Sequence, residues 1–347
     1  MPQILTNKFD LPQTLVAASQ LDTHRVAGDI SVTQILDGPR VRILKSLHTY
    51  EVDVSDNLYA LMGTALHHIL ERANITSVRK RAFILTAETI MKNAEELSKT
   101  DPEKAAKLEA AANWIFTLVK EWFPEVSERY IFELTLRMEI GSFTVYGTFD
   151  IYDKETGTLY DYKFCSVYMW IFPENRVKWK RQTNIYAMML RKTKGLPVNA
   201  IKLVAFFRDW NKHSLLRNKD YPDRQTKEVN IDVFNDEDIL AYVQERLELH
   251  KRAEDGEDID CTGDERWAKA DEFAVKTPSA KRALRLFPSE LLATGFIQEN
   301  KHKYDKSFIE FRPGDSMKCA EFCPVSKFCS QRAKELEKQA KYRENNG

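Results

Sequence analysis

Large apolar residues alternate with other residues along Val145–Asp153, and again along Thr158–Phe164. A period of two marks a half-buried strand. The polar stretch Lys154-Glu155-Thr156-Gly157 between the two runs suits a hairpin turn. Side chains on a strand alternate between faces, so Asp161 and Lys163 point the same way. The neighbouring strand can bring Asp150 beside them. A further strand is predicted before this hairpin, turning at Gly141-Ser142. After it, the pattern lengthens to a helical one from about Asn175 to Thr193, with Gly195 as its stop. Ala200 to Phe207 is a dense apolar run and reads as a buried strand. Lys227 to Phe234 predicts another strand, and Asn235 caps a helix over 236–253.

The N-terminal pattern is helical. Residues 1–60 read as short helices, with capping-box spacing at Ser31–Gln34 and Pro39 near a helix start. Ser55-Asp56 opens an amphipathic helix through Ala73, whose apolar side carries Leu58, Leu61, Met62, Leu66, Ile69 and Leu70. About 77–124 predicts a helical insertion, with Pro102 opening its second helix. The acidic break Glu254-Asp255-Gly256-Glu257-Asp258 sets a boundary. Residues 1–255 are expected to form an α/β core, a mixed central sheet flanked by helices. Residues 256–347 are expected to form a small C-terminal module ending in a charged helix.

The composition narrows the function. The chain has 347 residues, 43% of them hydrophobic, as in a packed globular protein. Lys plus Arg number 52 and Asp plus Glu 52, so no whole-surface polycation is present and any nucleic-acid contact must be local. No stretch approaches the ~20 apolar residues of a membrane span, and the N-terminus lacks a basic-then-apolar signal. The expected setting is the cytoplasm, of a bacterium or of a host in which a phage-encoded protein acts. Three of the five cysteines crowd near the C-terminus, a pattern of metal ligation rather than of a disulfide framework.

Two carboxylates and a lysine converging on a sheet edge make a site for a divalent cation and an activated water. Three other groups add to it. Gly63, His67 and Glu71 recur at four-residue spacing and share a helix face. His67 is a metal-ligand type, and Glu71, one turn on, could orient it. Gly147 precedes Asp150 by three positions. Lys178, Gln182 and Tyr186 recur every four residues on the helix that follows. Singly, each has a plain structural reading, such as a satisfied histidine, a solvated Asp–Lys pair or a half-buried tyrosine.

In order, Gly-x3-His-x3-Glu, Gly-x-x-Asp, Asp-x-Lys and Gln-x3-Tyr resemble the PD-(D/E)XK nuclease superfamily over roughly residues 60–190. Within it they resemble the RecB-like group, which includes phage and recombination exonucleases. The resemblance implies a restriction-endonuclease-like core in which His67, Asp150, Asp161 and the carbonyl of Tyr162 hold Mg²⁺ or Mn²⁺. It implies that Lys163 positions the attacking water and that Gln182 and Tyr186 brace the site or a substrate phosphate. Lys178 lies one turn earlier on the same face, placed for a neighbouring DNA phosphate.

Cys319-x3-Cys323-x5-Cys329 brings three soft thiolates close together, a choice for zinc or an iron–sulfur cluster. A closed site needs a fourth ligand, and Cys261 is the candidate. AddB-type and CRISPR-associated RecB-like nucleases carry a 4Fe–4S cluster on one cysteine before the nuclease motifs and three after. Here no cysteine precedes Cys165, and the first gap is three residues rather than two. Zn²⁺ therefore stays open as the alternative. Cys165 reads as a small packed residue. The function expected is metal-dependent DNA hydrolysis, exonucleolytic, in recombination, repair or phage DNA metabolism, alone or with other recombination or replication proteins. The alternative is a non-hydrolytic DNA-binding subunit with a structural metal. Hydrolysis of another phosphoester is a third reading.

Overall fold

The computed structural model describes residues 3–20, 27–72, 75–122, 129–172, 176–280, 282–304 and 306–346. The side chains of 71, 72, 75–81 and 343–346 are not described. The chain groups into two compact units, one made of 11–36 and 55–245, the other of 1–10, 37–54 and 246–347.

The larger unit is built on a six-stranded mixed sheet. Its strands are β1 (Ile30–Ser31), β2 (Tyr130–Ile140), β3 (Phe143–Asp153), β4 (Thr158–Cys165), β5 (Ala200–Phe207) and β6 (Thr226–Ile231). The long hairpin β2–β3 turns at Gly141-Ser142 and stays in register from Ile140↔Phe143 to Tyr130↔Asp153, with a single break. β4 runs antiparallel to β3 and parallel to β5, and β6 closes the far edge antiparallel to β5. The β3–β4 turn ends at Gly157, whose φ of +68° suits glycine because it carries no Cβ. A Cβ there would also stand 2.5 Å from Asn199 Nδ2.

Four long helices accompany this sheet. They are α1 (Val54–Arg72), α2 (Ile75–Leu97), α3 (Pro102–Trp122) and α4 (Val177–Lys194). α2 and α3 pack on each other, as the helical insertion required. α4 lies across β2, β3, β4 and β5 and is buried from Thr183 to Leu190. Midway along it, Asn184 ties down the segment after β6, donating to the Lys180 and Asp232 carbonyls and accepting from the Phe234 N–H. The apolar core beneath it includes Leu136, Phe149, Leu159, Ile185, Met188, Met189, Ile201 and Leu203, each 1% exposed or less. Burying side chains of this size stabilises by about 1.5–3 kcal/mol each.

One detail of the sheet positions the site. The edge of β3 facing β1 and β4 pairs with β1 at Val145–Tyr146 and with β4 at Ile151–Asp153. Between them, at 147–150, no strand is paired on that side among the described residues. There β3 and β4 diverge, and the Tyr162 N–H bonds to the Asp150 carboxylate at 2.5 Å instead of to a β3 carbonyl.

The smaller unit contains a three-stranded antiparallel sheet, β7 (Glu272–Lys276) flanked by β8 (Arg285–Phe287) and β9 (Phe308–Arg312), and the C-terminal helix α5 (Ser330–Asn346). It also contains a parallel strand pair, Gln3–Thr6 with Tyr50–Asp53, where the sequence suggested only short helices. Gln3–Thr6 does not alternate, whereas Tyr50-Glu51-Val52-Asp53 alternates apolar and acidic residues, a brief period-two signal that the helical reading passed over. The nearly buried Arg40 binds Asp258 at 2.7 Å and Asp260 at 2.6 Å, and donates to Ser330 Oγ. No described helix in the chain is long and apolar enough to cross a membrane.

Candidate active site

Asp161 and Lys163 share a face of β4, held in register with Leu203 and Ala205 of β5. Lys163 Nζ lies 2.7 Å from Asp161 Oδ2 and donates to Gln182 Oε1 at 3.1 Å. Gln182 in turn donates to the Tyr186 hydroxyl at 3.0 Å. Gln182 and Tyr186 are one turn apart on α4, so both reach back to the strand. Burial pushes the Tyr186 hydroxyl pKa up, and the tyrosine stays neutral. Its ring has room because residue 147 is glycine. A Cβ on Gly147 would stand 2.5 Å from Tyr186 Cε1.

Asp150 comes from β3, and His67 comes from α1. His67 Nδ1 lies 3.5 Å from Asp150 Oδ1 and 3.7 Å from Glu133 Oε1. One donor atom from each of His67, Glu133 and Asp150 lies within 4.8 Å of the others. Burial, then the charge of Asp161, pushes the Asp150 pKa up to about 7. The Glu133 carboxylate first, and Asp150 after it, raise the His67 pKa against the opposing effect of burial. Three carboxylates crowd one imidazole and one ammonium, so the centre lacks positive charge.

A divalent cation fits this donor set. Asp161 is 4% exposed, and its Oδ2 meets the Lys163 ammonium at 2.7 Å, which balances one of the three carboxylates. Buried carboxylates beyond what one ammonium can balance are costly without a further positive charge. Carboxylate oxygens and one imidazole are the ligand types of Mg²⁺ and Mn²⁺ sites.

Glu133 was missed by sequence reasoning. It has φ +46°, rare for a residue with a side chain, and it is the one break in the β2–β3 ladder. Counted back from the two-residue turn, it is the position opposite Asp150. Hairpin register could therefore have found it. Of the other expected residues, Tyr162 sits between Asp161 and Lys163, with its ring tilted against Phe206 at 5.8 Å. Lys178 is exposed in the first turn of α4. The side chain of Glu71 lies outside the described residues.

In the smaller unit Cys261, Cys319, Cys323 and Cys329 line one pocket together with Arg40, Glu265 and Gln331. A five-residue π-helical turn, Lys318–Phe322, and a 3₁₀ turn, Ser326–Phe328, carry the last three to it. Burial, followed by the charges of Glu265 and Cys329, pushes the Cys261 thiol up to about 12. Burial also raises Cys319 and Cys323. After Cys261, Lys276 pairs with Glu310 and Arg266 with Glu335.

No curated protein matches the chain. A solved structure titled "Crystal structure of SSO0001" is similar at a TM-score of 0.36 and 14% identity, covering 68% of this chain and 83% of that one. That likeness is too weak to carry an argument. The match that decides is to the sequence profile of a family, which runs over residues 42–330 and so takes in the His67, Asp150, Asp161 and Lys163 positions: the chain belongs to the PD-(D/E)XK nuclease superfamily.

Proposed function

We propose that the protein is a Mg²⁺- or Mn²⁺-dependent exonuclease acting on DNA in recombination, repair or phage DNA metabolism. One observation carries the hydrolytic part. Donor atoms of His67, Glu133 and Asp150 converge beside the buried Asp161, whose Oδ2 is 2.7 Å from the Lys163 ammonium. Phosphodiester hydrolysis needs a nucleophile at neutral pH and neutralisation of charge on the phosphoryl oxygens, and a divalent cation supplies both. In this reading Asp150, Asp161, His67 and Glu133 hold the cation, with the Tyr162 carbonyl as a further ligand. Lys163, fixed between Asp161 and Gln182, presents a compact positive charge to the phosphate and the attacking water. Tyr186 keeps Gln182 in place. The exonucleolytic mode and the biological context rest on the likeness to RecB-like enzymes.

The four cysteines belong to the same proposal. They are assigned to a structural 4Fe–4S cluster, with Zn²⁺ as the competing occupant, because all four line one pocket. Thiols with raised pKa values lose their protons when a metal binds, and folding of the surrounding segment follows.

The test is incubation of linear and circular DNA, single- and double-stranded, with Mg²⁺ or Mn²⁺. Linear DNA should be degraded progressively while closed circles persist. Asp161→Asn and Lys163→Ala should each lower turnover by at least about 10²–10³-fold without unfolding the protein. DNA binding with no cleavage of any substrate by the wild-type protein would favour a non-hydrolytic subunit instead.

A further inference from the structure

The catalytic centre is linked to one point on the surface by two separate routes. Along α1, Tyr59, Gly63 and His67 follow one another every four residues on one side of the helix. The distance from His67 to Tyr59 is two turns, about 12 Å. Along the sheet, Lys163 is paired with Ala205, and Arg208 lies three residues further on, about 10 Å away. The Arg208 N–H is anchored on the Cys165 carbonyl at 3.0 Å. Both routes end at the same place, because the Arg208 guanidinium sits over the Tyr59 ring at 3.8 Å from its centroid.

The residues along this path have the properties of a binding lane. Tyr59 is 59% exposed although an arginine covers one face of its ring. Among the described residues no carboxylate is within ion-pair distance of Arg208. Gly63 lies midway between Tyr59 and His67, and a Cβ there would meet nothing within 4 Å. A glycine inside a helix is unfavourable relative to alanine. Here no protein neighbour requires it, so the space above it is open.

We propose that this lane takes single-stranded DNA next to the scissile phosphate. A base stacks on Tyr59, Arg208 meets a phosphate beside it, and the backbone crosses over Gly63 to reach His67 and Lys163. An exposed aromatic ring with an adjacent arginine is the recognition device for single strands, since every base has a π-face. In a duplex the bases are stacked inward and cannot use Tyr59. The proposal rests on the nuclease reading and adds the form of DNA that the site accepts.

The test uses full-length protein carrying Asp161→Asn to suppress cleavage. Affinity for a fluorescent oligothymidine and for a blunt duplex of equal length is measured by anisotropy. Tyr59→Ala should weaken oligothymidine binding about ten- to a hundredfold and leave the duplex unchanged, while Tyr59→Trp restores binding. Gly63→Leu should melt at or above the parent temperature, yet abolish cleavage of single strands when Asp161 is intact. Unchanged oligothymidine affinity in Tyr59→Ala, or an equal loss on blunt duplex, overturns the lane. If Asp161→Asn still abolishes hydrolysis in that case, the nuclease reading stands without it. A wild-type protein that neither binds nor cleaves any DNA would overturn both.

Discussion

Asp150→Asn should stabilise the cation-free protein, by an amount that grows with pH. Asp150 is 9% exposed, and its pKa is pushed from an ordinary 3.8 to about 7, first by burial and then by Asp161. The folded state therefore holds this proton more tightly than the unfolded chain. Between those two values the native state binds more protons, so stability falls as pH rises. At pH 4 the group costs little. By pH 8 the full difference applies, on the order of 4 kcal/mol at 1.36 kcal/mol per unit. An amide at this position carries no charge, so the variant escapes that loss. With about 2–4 °C per kcal/mol for a unit of this size, the expected gain is on the order of 10 °C at pH 8, and far less at pH 5. The assay is thermal melting in EDTA at both pH values, repeated with Mn²⁺. Mn²⁺ should raise the wild-type melting temperature at pH 8 and have little effect on the variant. A variant gain that is equal at both pH values would refute the reasoning, as would a wild type that gains stability from pH 5 to 8 in EDTA.

The remaining predictions concern the brace, the flanking phosphate and the cysteines. Gly147→Ala places a methyl group 2.5 Å from the Tyr186 ring, so overpacking should cost about 1–3 kcal/mol in urea unfolding and turnover should fall with it. Unaltered turnover would separate Tyr186 from the catalytic geometry. Lys178→Ala should flatten the slope of log K against log salt on single-stranded DNA by about 0.7, with turnover at saturating DNA and low salt largely kept. A salt titration in Ca²⁺ measures it, and an unchanged slope would mean that the first turn of α4 does not face DNA. Anaerobically purified protein should be brown with iron and sulfide in elemental analysis, and Cys261→Ala should lose both. Zinc in their place would transfer the site to the competing ion, and neither metal would reject a metal site at these cysteines.

The parts of the fold legible in the sequence were those with a local period. The β3–β4 hairpin, the dense apolar run of β5 and the helix that Gly195 stops are all written in runs of neighbouring residues, and they place Asp161, Lys163, Gln182 and Tyr186. The parts that were not legible depend on pairing over distance. The smaller unit is assembled from three separated segments, and its parallel strands are joined across 47 positions, as in the Thr6–Asp53 hydrogen bond. Glu133 was hidden for another reason. In Ile131-Phe132-Glu133-Leu134 it looks like a strand residue facing solvent. Its left-handed backbone, which pattern cannot show, aims it at His67 instead.

That left-handed residue and the gap in the sheet have one physical effect. A regular β2–β3–β4 sheet would spend the backbone groups around Asp150 on ladder hydrogen bonds. Here the ladder fails at Glu133, and β4 leaves β3 beyond Tyr160, so the Tyr162 N–H is free to take the Asp150 carboxylate. Each departure costs local stability, about 1–3 kcal/mol for a strained residue. What they produce is a cluster of three carboxylates with Lys163 and His67 to balance it. Such a cluster is unfavourable by itself, and the Asp150 pKa, raised first by burial and then by the charge of Asp161, reflects both. A proton on Asp150 relieves it in part, and a multivalent cation would relieve it further. The strain and the electrostatic imbalance therefore act on the same few residues, and the fold keeps both where a cation would relieve them.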